Sequence, residues 1–273
     1  MLFVIIFDVF DLTSFERKDM DMGKQYSSVA GVYDALNSDF DYEAYADYIQ
    51  GQIKKHQKTD TSLVLDLACG TGKMTFLLRE RGYDMTGVDI SEDMLSMARD
   101  ISYERDINDI LWLCQKMQDF ELYGTVDACA CCLDSLNYLT KKSDLDRCLA
   151  LVHNYLIPDG VFVFDVNTPY RFKNAYAQNA YILECEDALL AWQNDYNEKS
   201  RLCKFYLTLF EENEDGSYSR SDEVQTERCY SKKQICDALA RAGFEILSIH
   251  GDLNGKSAEE TDEKWYFTLR NVK

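Results

Sequence analysis

The sequence predicts an α/β fold: a parallel sheet with helices on both faces, plus a small antiparallel β insert late in the chain. Three observations predict it. Between residues 63 and 166, short and nearly continuous apolar runs alternate with stretches of helical period, the pattern of strands buried on both faces. Residues 181–210 then hold three strand-like runs with no helix pattern between them, followed by the hairpin signal Glu214-Asp215-Gly216. A helix pattern and two apolar runs return at 231–270 and complete the sheet.

The elements follow in order. From 24 to about 57 the pattern is helical, with Tyr42, Tyr45, Ala46, Ile49 and Ile53 on one face. LVLDL (63–67) is a strand, 73–81 a helix and 84–88 a strand. Ser91 is placed to cap a helix that presents Met94, Leu95 and Ala98 together. Residues 110–114 and 126–132 are strands, and Ser143-Asp144-Leu145-Asp146 has the form of a capping box that opens a helix to residue 156. Pro158-Asp159-Gly160 reads as a turn before the strand VFVFDV (161–166). Strands at 181–185, 189–195 and 202–210 build the insert; Ser231-Lys232-Lys233-Gln234 caps a helix that stops at Gly243, and strands at 244–250 and 265–270 follow.

The totals narrow the function. A chain of 273 residues with 46% hydrophobic residues can bury an ample core. Its formal net charge of −19 disfavours a nucleic acid partner and favours small or cationic ones. The ten cysteines lie mainly in apolar runs, where a free thiol behaves as a small hydrophobe. The cluster Cys129-Ala130-Cys131-Cys132 falls on a strand whose neighbours point to opposite faces, and the three histidines are scattered. A reduced, cytoplasmic protein without a metal is expected. The opening MLFVIIFDVFDL is too short to span a bilayer and lacks a basic leader; residues 1–22 read as an extension without assigned function, upstream of a possible start at Met20 or Met22.

The chemistry concentrates in LVLDLACGTGKM (63–74), a strand, a glycine turn and a helix. Such a turn ordinarily holds phosphate. The dinucleotide fingerprint needs a third glycine where Thr75 stands, Asp66 opposes a pyrophosphate, and Walker spacing is absent. A ligand with an ammonium and a sulfonium instead of phosphates fits Asp66, and S-adenosylmethionine is such a ligand. Asp89 ends the next strand nineteen residues after Gly70, where an acid accepts the ribose hydroxyls.

These residues resemble a family. Asp66-Leu67-Ala68-Cys69-Gly70-Thr71-Gly72 and Gly87-Val88-Asp89-Ile90-Ser91 are similar to the first two motifs of class I S-adenosylmethionine-dependent methyltransferases. More narrowly, the chain from about Tyr26 onward resembles bacterial small-molecule methyltransferases with an antiparallel insert after the fifth strand. It shares Ala30-Gly31-Val32-Tyr33-Asp34, Asp134-Ser135-Leu136-Asn137-Tyr138 and Asp165-Val166-Asn167-Thr168. The resemblance implies a Rossmann-like seven-stranded methyltransferase sheet formed by 23–168 and 231–273, with 169–230 as an insert covering the substrate. It implies that Ala68, Gly70 and Gly72 line the methionine moiety with Asp66 nearby, that Asp89 binds ribose, and that Ile90 flanks adenine. Met94 and Met117 join this set, Cys132, Leu133 and Asp134 neighbour the amino-acid part, and Tyr26 and Tyr33 close over the cofactor.

Two departures stand out. The family's usual Gln-Asp-Met reads Gln115-Lys116-Met117, and a lysine cannot accept the adenine amino group's hydrogen bond; Asp119 is three positions away. In Glu223-Val224-Gln225-Thr226-Glu227-Arg228-Cys229-Tyr230, Gln225 stands for the family's histidine and Glu227 for its glutamine. Methyl transfer is an in-line displacement that mainly requires an aligned nucleophile. Candidates to face the methyl group are Asp134, Asn137, Tyr138 and Asn167, beyond the carboxyl ends of the parallel strands. Trp192, Gln225 and Tyr230 are candidate substrate walls. The expected activity is methyl transfer to a small-molecule acceptor, with no membrane. The alternatives are a noncatalytic S-adenosylmethionine-binding module and a methyltransferase of RNA or protein.

Overall fold

The computed structural model describes residues 40–185 and 188–273. The extension 1–22, the start of the first helical stretch, Tyr26, Tyr33 and the motif at 30–34 lie outside the described residues. Chain order gives β1 (Leu63–Leu67), β2 (Asp84–Asp89), β3 (Leu111–Cys114), β4 (Val126–Cys131) and β5 (Leu156–Asn167). The insert strands follow as β6 (Ala180–Cys185), β7 (Ala188–Asn197), β8 (Leu202–Glu212) and β9 (Tyr218–Arg228), then β10 (Phe244–His250) and β11 (Lys264–Asn271). The main sheet has seven strands in the order β10-β11-β5-β4-β1-β2-β3. Strands β1 to β5 pair in parallel, and β11 runs antiparallel to both β5 and β10.

Side-chain alternation along the strands supplies both cores. Val64, Ala128, Ala130, Val161 and Val163 pack on the face covered by α1 (Tyr42–His56) and α2 (Lys73–Glu80). α3 (Glu92–Glu104) flanks β2 and β3. Leu65, Cys129, Cys131, Phe162 and Phe164 point the other way, toward α4 (Lys142–Tyr155) and α5 (Lys232–Ala242). Each valine, leucine or phenylalanine among them contributes about 1.5–3 kcal/mol when fully buried. Cys129 and Cys131 of β4 are therefore core hydrophobes on one face, Cys132 just beyond the strand packs on the other, and the described cysteines are free thiols. Among the described residues no helix is long and apolar enough to cross a membrane.

Helix ends follow the sequence with one exception. Ser91 accepts from the Met94 N–H, Ser231 and Gln234 form a reciprocal capping box, and Gly243 ends α5 at φ 91°. The capping box expected at Ser143 does not form. Lys142 already begins α4, so Ser143 sits within the first turn and its hydroxyl bonds Asp144 instead. The turn expected at Pro158-Asp159-Gly160 is a bulge inside β5: the β4 register jumps from Val126↔Leu156 to Ala128↔Val161. Asp159 takes φ 63° there, and a side chain on Gly160 would meet the Asp127 and Ile157 carbonyls at 2.9 Å.

The insert is a separate four-stranded antiparallel sheet in the order β6-β7-β8-β9. Cys203, Phe205, Leu207 and Leu209 alternate along β8 and bury one face. Two helical turns absent from the sequence expectation, Pro169–Arg171 and Phe172–Tyr176, precede the insert and drive Phe172 and Tyr176 into its core. Tyr138 Oη donates to Gln225 Oε1 at 3.0 Å, tying the end of the β4 loop to β9.

Candidate active site

The site lies beyond the carboxyl ends of β1, β2 and β4. The turn after β1 bends back so that the Gly70 N–H donates to Asp89 Oδ2 at 2.8 Å, while Ser91 N–H donates to Oδ1 at 2.8 Å. Backbone donors thus fix the Asp89 carboxylate at the strand end, although burial raises its pKa against them. Asp66 is buried and accepts from Thr75 Oγ1 at 2.5 Å. Burial raises the Asp66 pKa to about 7, with the Thr75 hydrogen bond opposing the shift and the Asp89 charge adding to it. Thr75, at the position of the missing third glycine, thus serves the carboxylate. Gly72 has φ 81°, and a Cβ there would stand 2.5 Å from the Trp112 ring. Three residues with side chains also take positive φ at these strand ends: Ala68 (63°), Leu133 (55°) and Asp134 (53°).

This turn borders a pocket of roughly 740 Å³, part of it open to solvent, and the expected residues Asp66, Ala68, Gly70, Asp89, Ile90, Met94, Met117, Cys132 and Leu133 line it. Gly72 does not line it and instead lets Trp112 pack behind the turn. Tyr42 and Lys73 also line it, the Lys73 ammonium lying 4.2 Å over the Tyr42 ring. Beyond Ile90 the pocket continues into a space bordered by Gln115, Lys116, Met117 and Gln118. Asp119 is not on that border and pairs with Arg147 at the surface.

A second cavity, about 1880 Å³ with its open part included, adjoins the first and shares Leu133 and Tyr138 with it. The expected residues Asp134, Tyr138, Trp192 and Gln225 line it. Its floor is an ionic network. Lys264 Nζ reaches Asp134 Oδ1 and Asp165 Oδ2, each at 2.6 Å, and Tyr45 Oη donates to Asp165 Oδ1 at 2.6 Å. Arg171 lies 3.5 Å from Glu263 and donates to Tyr176 Oη at 3.1 Å. Burial, reinforced by the Asp134 charge, pushes the Glu227 pKa well up and favours its neutral form. Burial also acts to raise Asp134, yet Lys264 and Arg171 outweigh it and hold Asp134 ionised.

Asn137, Asn167 and Tyr230 lie behind this wall and line neither cavity. The Asn167 N–H donates to Asn137 Oδ1 at 3.0 Å, and Asn137 Nδ2 donates to the Arg228 carbonyl at 2.9 Å. Asn167 Nδ2 reaches Tyr176 Oη at 3.2 Å and Glu227 Oε2 at 3.1 Å. Tyr230 is buried with its hydroxyl on the Leu139 carbonyl. Sequence reasoning missed Lys264, Arg171 and Asp165, which no local spacing marks because they meet only across the fold. Lys73 was visible as the residue after the glycine turn.

Residues 64–160 match the family described as "Methyltransferase domain". A provisionally named methyltransferase of Geobacillus sp. (strain WCH70) is 29% identical over 245 residues, covering 90% of this chain and 99% of its own. The dTDP-3-amino-3,6-dideoxy-alpha-D-glucopyranose N,N-dimethyltransferase of Streptomyces fradiae is 24% identical over 236 residues, covering 84% of this chain and 88% of its own. The crystal structure of an S-adenosylmethionine-dependent methyltransferase from Clostridium acetobutylicum ATCC 824 matches with a TM-score of 0.82 at 27% identity, covering 91% of this chain and 99% of that one. The strand order, the carboxylate-bearing glycine turn and these likenesses agree: residues 64–160 carry a methyltransferase domain, on the fold of the class I S-adenosylmethionine-dependent methyltransferases.

Proposed function

We propose that the protein moves the methyl group of S-adenosylmethionine to a small molecule held in the second cavity. The carrying observation is that this cavity meets the cofactor pocket at Leu133 and Tyr138 and is walled by the insert strands. A space bounded on that side by residues 169–230 suits a compact acceptor, and the Streptomyces fradiae relative is named for action on a nucleotide-linked amino sugar. The free, mostly buried thiols fit a reducing compartment, the cytoplasm.

The cofactor supplies a methyl group on a sulfonium, with a neutral thioether as leaving group. The chain's own residues hold and orient it. Asp66 attracts the ammonium, and Lys73 at the pocket wall complements the carboxylate. Asp89, fixed by Gly70 and Ser91, receives the ribose hydroxyls. Ile90 and Met117 flank the adenine, whose amino group is left to the Gln118 amide oxygen because Lys116 offers no acceptor and Asp119 faces Arg147. Asp134 and Tyr138 stand on the acceptor side.

The test is to incubate the protein with methyl-labelled S-adenosylmethionine and a cell extract separated into low-molecular-weight, protein and RNA fractions. Label entering the low-molecular-weight fraction is the expected result. Label confined to protein or RNA would overturn the reading.

A further inference from the structure

The second cavity carries an asymmetry in charge. Both cations that line it are engaged: Lys264 by Asp134 and Asp165, and Arg171 by Glu263. No lining cation among the described residues is left for an anionic acceptor. Of the lining carboxyls, Asp134 and Glu263 are the partners of those cations, whereas Glu227 is in no ion pair among the described residues. Glu227 lines the cavity within hydrogen-bonding reach of Asp134 and accepts from the Asn167 amide at 3.1 Å. Opposite them stands an apolar wall from the insert, including Leu183, Leu190, Trp192, Phe205 and Leu207. In that wall Trp192 Nε1 is shielded from water and has no hydrogen-bond partner, a donor awaiting an oxygen.

We propose that the Asp134–Glu227 carboxyl pair is the acceptor's docking point, and that the acceptor is an amine bound as its ammonium ion with its apolar body against the insert. This rests on the small-molecule reading above and names its substrate class. Lys264 already balances Asp134, and ionising a second buried carboxyl beside it is costly without a further cation. In the empty site a proton fills that role on Glu227, which faces Asp134, Lys264, Arg171, Tyr176 and Cys203. An arriving ammonium replaces the proton and leaves Glu227 as a carboxylate. One proton then passes from the nitrogen to Glu227, and the freed lone pair forms the nitrogen–carbon bond. The carbon–sulfur bond breaks with its electron pair staying on sulfur. The products are the methylated ammonium, the thioether and one proton, which leaves Glu227 for water. Aromatic rings of Tyr138, Tyr176 and Trp192 around the cavity add attraction for a cation.

The test uses three probes of one shape: cyclohexylamine, cyclohexanol and cyclohexanecarboxylate. Each is titrated calorimetrically into the full chain saturated with S-adenosylhomocysteine, in two buffers of different protonation heat. The expected result is that the amine binds at least about tenfold more tightly than the other two, with proton release. In Glu227→Gln that preference falls about tenfold, while S-adenosylhomocysteine affinity, which also reports folding, is unchanged. If the variant does not fold, the ranking in the unsubstituted protein decides alone. Tighter binding of the alcohol or the carboxylate would overturn the amine assignment and leave the small-molecule reading standing. Binding by none of the three would overturn both.

Discussion

The two cavities share a wall yet are built on opposite principles. The cofactor pocket comes largely from backbone and from residues close in sequence: Asp66, Gly70, Gly72 and Thr75 span a single strand–turn–helix, and Asp89 ends the adjacent strand. The second cavity, proposed above for the acceptor, comes from side chains brought together over long separations, with Lys264 lying 130 and 99 residues from Asp134 and Asp165. A cofactor common to a family is held by what the fold itself supplies. An acceptor particular to one protein is held by long-range charges, so its site depends far more on cooperative packing.

That contrast breaks most visibly at Lys264. Replacing it as Lys264→Met strands two buried carboxylates, and losing one partner of such a network costs about 3–5 kcal/mol. Urea unfolding monitored by fluorescence should show this loss. Gly72→Ala tests the backbone-built side. A side chain at φ 81° costs about 1–2 kcal/mol, and its Cβ displaces Trp112, so both the melting temperature and the S-adenosylmethionine affinity should fall. Trp112→Ala in the same chain should restore part of the loss and leave the backbone cost.

Asp66 sharpens the comparison through pH. Its folded-state pKa, about 7, lies above the ordinary 3.8. The folded protein therefore holds this proton more tightly than the unfolded chain does, and Asp66's contribution to stability is present below pH 3.8 and lost as pH rises through about 7. Cofactor binding has the opposite sign, because the ammonium needs the ionised form. S-adenosylmethionine affinity should decline as pH falls below about 7, by up to about tenfold per pH unit where Asp66 is protonated. Asp66→Asn should bind more weakly and flatten that profile, both read by calorimetry. The smallest effect is expected at the exposed Lys116. Lys116→Asp restores an acceptor beside the adenine and should tighten S-adenosylmethionine binding about fivefold, within the range of one hydrogen bond, while Gln118→Ala should weaken it similarly.

Legibility in the sequence divides along the same line. The alternation of apolar runs and amphipathic helices gave the sheet, because each element's burial pattern is local. The glycine turn was readable for the same reason, whereas Thr75 showed only as a missing glycine and its hydrogen bond to Asp66 came from the structure. Pro158-Asp159-Gly160 looked like a turn, since turn residues and bulge residues are the same; only its β4 partner reveals the three-residue slip. Asn137 and Asn167 looked like groups facing an acceptor, whereas they satisfy buried backbone and carboxyl groups. The residue types suit both tasks, and spacing does not separate them. Tyr230 was misplaced on the same ground. Glu227 stood out only as a departure from a motif, and its raised pKa comes from burial and then from Asp134, which the turn after β4 delivers.

Leu133 and Tyr138 belong to both cavities, so an acceptor seated as proposed above would meet the cofactor across them, where the two ligands can couple energetically. By whatever factor an acceptor strengthens the hold on the cofactor, the cofactor strengthens the hold on the acceptor equally. The same linkage extends to the demethylated cofactor left after turnover. With that arrangement, an acceptor arriving before it departs would hold it in place, forming a complex with nothing left to transfer. Throughput at high acceptor concentration is then governed by how quickly the spent cofactor escapes and is cleared, making the protein responsive to the ratio of charged to spent methyl donor.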